Sequence, residues 1–534
     1  MHGINNDYAI EPLVTEVQAL ALTPEGNSAG RSITVPDKEK NSSFQDLTSD
    51  TLSLIFRHLK LRDICSLQKV CTRLRDVIKE DNAMAKAWYR QFSSAHQNQL
   101  RMVISKKDKN QLRAWFESFS NDQALLESLT DRQPTSAYLP ALLFFTRAEM
   151  MSKCKAFELV TNATIDKIYK TNSASSPEDR VRMERLNKVK SAVLSADGRF
   201  LVTSNGDHKA KIYHHNPDGT WEIQTSFPHR SHFQSAIFSP NSHHLVTVSG
   251  HYKAMIYELG SDKSWEQKTT IIHNGHIKSA TFSTDSQHLV TVSLDGKVKI
   301  HSQKDDGSWG LSAFFSHQYA IYSGTFSTDG CYLLTVGQDK RLKIFSQEDG
   351  GSWEEKEAIP HSDSVCSATF TANGGSLVIV SPNREAKIYE KKADGSWKES
   401  GIIQHGDFVS WSTFSPDGRH VVTASRDRTV TIYGKNANGF WDKKATFSHN
   451  GCALSATFST DGCHVVTASQ DGTAKIIGQQ DDGSWLEKAS IEHDNFISSA
   501  SFSTDGSQVI TSSEDGIVKI TELRSNHLLS AVTE

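Results

Sequence analysis

The chain is 534 residues long, 37% hydrophobic, with a formal net charge of −4. That length has room for several domains, and the slight negative balance offers no general attraction to nucleic acid or to an anionic membrane. Seven scattered cysteines (Cys65, Cys71, Cys154, Cys331, Cys366, Cys452 and Cys463) form no C-x-x-C pair, which suits a reducing compartment without zinc.

Residues 1–42 carry few large apolar side chains and a polar run from Thr23 to Ser43, the composition of a disordered tail. Met1 to Ile10 does not read as a signal peptide. No apolar run approaches the roughly 18 residues of a membrane span. The longest, Tyr138 to Phe145, is broken by Pro140. The expected setting is therefore the cytoplasm, with the nucleus also open to the chain.

From Phe44 to about Thr171 the apolar spacing predicts helices. Leu52, Ile55, Phe56 and Leu59 form one stripe at i, i+3, i+4 and i+7, and Leu67, Val70, Cys71 and Leu74 form a second. Thr48 or Ser49 can cap the first helix, with Asp50 favourable in its first turn. Gln111 to Phe119 and Leu139 to Phe157 also read as helical, and the polar run at 172–180 reads as a linker. The domain boundaries follow: a tail at 1–42, a small helical domain at 43–92, a helical linker region at 93–177 and a repeat array at 178–534.

The array repeats every 44 residues, eight times, without insertion or deletion. Trp221, Trp265, Trp309, Trp353, Trp397, Trp441 and Trp485 mark it. So do His229, His273, His317, His361, His405, His449 and His493, and the series from Leu194 and Phe238 to Phe502. Within one copy, Ser279 to Phe282, His288 to Val292, Lys297 to Ile300 and Trp309 to His317 read as strands, separated by turns at Ser283–Ser286, Asp295-Gly296 and Asp306-Gly307. Four short strands per unit of 40–45 residues predict the blade of a β-propeller, since one such unit cannot bury its apolar face alone. The fold class is mainly β, a propeller of eight blades preceded by a small helical domain, the alternative being seven blades with one repeat outside the ring. The eighth blade needs a closing strand, for which 178–186 (Val181, Met183) and 527–532 are the candidates.

His273, Ser283-Thr284-Asp285, Thr291, Ser293 and Asp295 resemble a WD-repeat blade, and the resemblance covers the whole array. It implies a buried His, Ser or Thr, and Asp set in each blade. The family's Trp is replaced by Tyr213, Tyr257, His301, Phe345, Tyr389, Tyr433, Ile477 and Thr521, and its Asp by His251 and Asn383 in two blades. The helical stretch resembles an F-box. Leu47, Leu52, Ile55, Phe56, Leu59, Ile64, Leu67, Val70, Cys71, Leu74 and Trp88 carry the likeness, with Thr48 where that family has Pro and Leu74 where it has an aromatic.

A His, Ser and Asp such as His449, Ser469 and Asp471 suggests a catalytic triad, but a set that recurs around a ring reads as structural. Satisfying such buried groups avoids about 1–3 kcal/mol apiece. No nucleophile elbow, phosphate-binding loop or zinc spacing occurs, so no enzyme, cofactor or metal is expected. His214-His215 and His243-His244 are read as exposed pairs, and the repeat tryptophans as packing anchors.

The two resemblances together imply a substrate receptor of a Skp-cullin-F-box type ubiquitin ligase. The F-box residues from Leu47 to Leu74 would dock on the Skp adaptor and its cullin complex, and the propeller face would hold a protein substrate. Such a chain belongs to a eukaryote, or to an intracellular bacterium as an effector acting in the host cytosol. The candidate substrate residues are Lys340, Arg341, Arg384, Arg426 and Arg428 in variable turns, with Tyr322, Phe408 and Trp411 nearby. Arginines flanked by aromatics suit an acidic or phosphorylated segment. The competing reading is a non-degradative scaffold, favoured by Thr48 and Leu74. RNA binding is disfavoured by the net charge.

Overall fold

The computed structural model describes residues 157–165, 186, 188–216, 218–229, 233–250, 252–327, 330–348, 352–372, 374–436, 438–480 and 482–525. The tail, the F-box-like stretch from Leu47 to Leu74 and the expected helices at 111–119 and 139–156 lie outside them.

Eight four-stranded antiparallel sheets follow one another along the chain. Blade 3 is typical, with strands Ile277–Phe282, His288–Ser293, Lys297–Gln303 and Trp309–Ser316. Its second strand is buried almost throughout, because neighbouring blades cover both faces, whereas the fourth alternates toward solvent. The hairpin before the fourth strand turns at Gly307, whose φ of 79° suits a residue without Cβ, while Asp306 accepts from the Ser308 N–H at 2.9 Å.

The first strand of every blade touches the first strands of both neighbours, and blade 1 (first strand Val189–Leu194) meets blade 8 (first strand Ile497–Phe502). The sheets therefore form a closed ring of eight, with first strands innermost and fourth strands outermost.

The core is divided among the eight junctions between blades. At one junction, Val290, Val292, Val298 and Ile300 of blade 3 pack against Ile321, Phe326, Leu333, Phe345 and Trp353 of blade 4. The repeat tryptophans belong to these layers, as expected. Trp309 meets Phe282 of its own blade at 6.0 Å and His244 of the preceding blade at 5.3 Å, edge-on in both cases.

The closing strand departs from both expectations. It is Phe157–Ile165, which pairs antiparallel with Val518–Ser525 and becomes the outer strand of blade 8. The propeller thus begins at Phe157 and not at 178, and the helical reading fails over 157–165. Phe-Glu-Leu-Val-Thr-Asn-Ala-Thr-Ile is rich in β-branched residues, and pairing along its whole length outweighs the local helical spacing. It even carries a bulge between Thr161 and Ala163, matching the one in the outer strand of blade 3.

Candidate functional site: the turn-and-loop face of the propeller

In each blade the turn between second and third strands lies beside the loop that enters that blade. In blades 3, 4, 6, 7 and 8 a buried polar set joins the two. In blade 4, His317 at the end of the preceding outer strand reaches Thr335 through Nε2 at 2.8 Å and Asp339 through Nδ1 at 2.7 Å. His405, His449 and His493 repeat both contacts in blades 6, 7 and 8. His273 does so in blade 3, with Asp295 at 3.4 Å.

A carboxylate only accepts, so Nδ1–H donates to it. In a neutral ring Nε2 then accepts from the threonine. Burial pushes the His317 and His449 imidazoles below their ordinary value, against the opposite pull of Asp339 and Asp471. Burial alone would raise the Asp515 carboxyl, but donation from His493 and from the N–H groups of Ile517 and Asp494 holds it below the carboxylate range.

The triad-like set is therefore a framework, and its hydroxyl comes from a different residue than expected. His449 meets Thr467, while Ser469 accepts from the Asp471 N–H at 3.2 Å. Blade 5 breaks the pattern at two places, with Ile379 where the others have threonine and Asn383 where six of the others have aspartate, and blade 2 departs once, with His251 at the aspartate position. Of the histidine pairs read as exposed, His215 and His243 are exposed, but His214 is half-buried and His244 is buried. His244 begins a second strand and packs edge-on against Trp309.

Framed by these sets, the third residue of each turn takes a left-handed backbone. Glycine stands there in blades 3, 7 and 8 (Gly296, Gly472, Gly516), but His208, Tyr252, Lys340, Arg384 and Arg428 stand there in the other five, with φ between 58° and 70°. Those side chains cost backbone energy that glycine would avoid.

Lys340, Arg341, Arg384, Arg426 and Arg428 are all exposed on three consecutive blades, Arg341 opening a third strand and the others on the turns. The Arg426 guanidinium lies 5.0 Å from the centre of the half-buried Phe408 ring, and the Arg426 backbone N–H donates to the Phe408 carbonyl at 2.8 Å. Lys340 reaches the loop entering blade 5, donating to the Ser362 carbonyl at 3.3 Å.

Tyr322 and Trp411 are placed differently. They sit on the innermost strands of blades 4 and 6, not on turns. Trp411 is 37% exposed on that strand where every other blade has Ser. Aromatics on the same face that were not singled out in the sequence are Tyr252, Tyr319 and Phe496, all exposed. Phe496 occupies the repeat position of Phe408, and comparing copies position by position would have found it.

A family model of the F-box domain matches residues 44–84, and one of the WD domain, G-beta repeat, matches 397–434, 441–477 and 487–521. The chain is an F-box/WD-repeat protein. A third model, UCP007778, beta-propeller domain, matches 202–357 of this F-box/WD-repeat chain. No curated protein matches it.

Among solved structures, Sqt1 from Chaetomium thermophilum is similar in fold, with a TM-score of 0.56 and 13% identity over 69% of this chain and 100% of that one. The same protein bound to the N-terminus of the ribosomal protein L10 gives 0.54 and 13%, over 63% and 96% of the two chains. Saccharomyces cerevisiae Sqt1 gives 0.55 and 14%, also over 63% and 96%. At such identity the likeness is one of fold. Together, the F-box match and the WD propeller make this a protein-interaction adaptor.

Proposed function

We propose that this adaptor is a substrate receptor of a Skp-cullin-F-box type ubiquitin ligase, working without catalysis of its own. The observation that carries this reading is an F-box match at 44–84 on the same chain as a closed propeller. The F-box residues, Leu52 and Phe56 among them, dock on the Skp adaptor, and the turn face holds a protein substrate. Tethering raises the effective concentration of substrate lysines near a ubiquitin-loaded enzyme, to the mM range for a short link. The cations on blades 4 to 6 suit an acidic or phosphorylated segment, because guanidinium pairs bidentately with carboxylate and phosphate. The cytoplasm is the proposed setting, in keeping with seven scattered cysteines that form no C-x-x-C pair.

Co-purification with a Skp adaptor and cullin tests this, comparing the full chain with Leu52→Asp plus Phe56→Asp. Capture by the intact chain that is lost in a folded double mutant supports the receptor reading, and no capture by the intact chain overturns it. Arg384→Glu, Arg426→Glu and Arg428→Glu together should abolish substrate binding while leaving adaptor capture intact.

The second reading is a non-degradative scaffold. It is favoured by the fold likeness to Sqt1, which has been seen holding the N-terminus of a ribosomal protein. In that case substrate abundance would not respond to the F-box substitutions.

A further inference from the structure

The outer strands of the eight blades form the circumference of the ring, and each presents an unpaired backbone edge among the described residues. Such an edge is a template for another strand, and proteins protect it with charge. Seven of the outer strands carry at least one charged side chain. Trp309–Ser316 of blade 3, Trp-Gly-Leu-Ser-Ala-Phe-Phe-Ser, carries none.

The comparison sharpens at one repeat position. In blades 4, 5 and 7 a glutamate on the outer strand pairs with a lysine of the third strand: Lys343 with Glu355 at 2.9 Å, Lys387 with Glu399 at 3.0 Å and Lys475 with Glu487 at 2.9 Å. In blade 3 the lysine remains as Lys299, but Leu311 stands in place of the glutamate. Lys299 keeps only the contact to the preceding blade, donating to the Ile272 carbonyl at 2.6 Å as Lys343 does to Ser316 at 3.4 Å. Leu311 is 56% exposed, Phe314 50% and Ile272 55%. Phe314 lies opposite Lys299 and Leu311 opposite His301 in the ladder, so these two apolar groups share one side of the strand. The bulge near Ser312 recurs at the matching place in outer strands such as those of blades 4, 5 and 8, so charge, not backbone shape, sets blade 3 apart from them.

We propose that the outer edge of blade 3 pairs with the same edge of a second copy of this chain, across a two-fold axis. Self-pairing is where the absence of charge matters most. An isologous contact brings each patch against itself, so the outer strand of blade 4, with Glu354, Glu355 and Glu357, would meet its own negative charges. The outer strand of blade 3 brings no charge of its own, only Leu311, Phe314 and small neutral residues, with the Lys297 ammonium of the third strand 5.2 Å from the centre of the Phe314 ring. Edge pairing of eight residues with one apolar cluster is a small interface, below the standard size of a stable complex. The dimer is accordingly reversible.

Sedimentation equilibrium of the full chain over about 1–100 μM, the range matching a Kd of weak interfaces, reads this directly. The test variant is Leu311→Glu with Phe314→Ala, which gives blade 3 the residues that blade 4 carries at these positions. It restores an ion pair seen three times elsewhere in the ring, so the fold is retained, as a thermal melt confirms. The expected result is a concentration-dependent dimer whose Kd rises at least tenfold in the variant. A wild-type chain that stays monomeric throughout, or a dimer unchanged in the folded variant, overturns the proposal. Because the readout is mass and not ligase or substrate binding, its failure leaves the proposed function untouched.

Discussion

His449 Nε2 meets the Thr467 hydroxyl at 2.9 Å, while Nδ1 meets the Asp471 carboxylate and the Thr473 hydroxyl, each at 3.1 Å. Thr467→Val removes the group that Nε2 bonds and leaves a buried nitrogen unpaired, which costs about 1–3 kcal/mol. Denaturant titration should show a lower midpoint with an unchanged slope. Blade 5 tolerates this state naturally, since Ile379 occupies the threonine position and His361 Nε2 has no hydrogen-bond partner among the described residues. A second residue-scale effect is acid lability. Burial pushes His229 and His301 down to about 4. The unfolded chain therefore binds protons that the folded chain refuses, and stability is lost as pH falls from about 6.5 toward 4. His301→Phe, copying Phe345 of blade 4, should reduce the loss measured by denaturation at pH 7.5 and pH 5, by up to about 2 kcal/mol after allowance for partial exposure. The other buried histidines keep the remaining dependence.

At the scale of the element, the turns between second and third strands set stability against recognition. Arg428→Gly gives the left-handed position a residue at ease there, as Gly472 is in the next blade. It should raise stability by about 1 kcal/mol while weakening capture of an acidic partner. Equal stability in the variant would show that the turn is unstrained. The reverse change, Gly472→Ala, should destabilise by about 1 kcal/mol or more, because its Cβ would stand 2.6 Å from the His493 carbonyl oxygen. Most elements of this kind were legible in the sequence, since Asp-Gly turns, strand spacing and the 44-residue step all repeat. The outer strand of blade 8 was not. Leu159 stands at the register position that tryptophan holds in the other outer strands, and Phe157 supplies the buried ring against His464 at 5.3 Å. With its marker changed and its place far upstream, the strand had no period to reveal it. In the face residues, sequence reasoning found the exposed cations but not that Trp411 and Tyr322 belong to the inner strands. A one-residue bulge between Val409 and Trp411 helps decide that orientation, and no spacing rule in the sequence reports it.

At the scale of the whole molecule, the ring holds because each blade is clamped by two neighbours and the last junction is closed by a strand from the other end of the array. Val160→Pro removes a donor from that strand and constrains its backbone. It should broaden the cooperative melt of the ring, and the seam should lose amide-exchange protection first, at Val518–Ser525. Protection lost evenly around all eight blades would argue against a weak seam.

The same seam has a consequence in time. Thr161 and its cross-strand neighbour Thr521 are 360 residues apart in the chain. A ribosome adding about 5–20 residues per second needs about 20–70 s to travel that distance. During that interval the first strand of the ring is made and its partner is not. Newly made chains must hold Phe157–Ile165 in waiting for over a million times longer than the roughly 1–10 μs a hairpin takes to form, which makes this short segment a place where a chaperone, or a wrong partner, has a long opportunity to act.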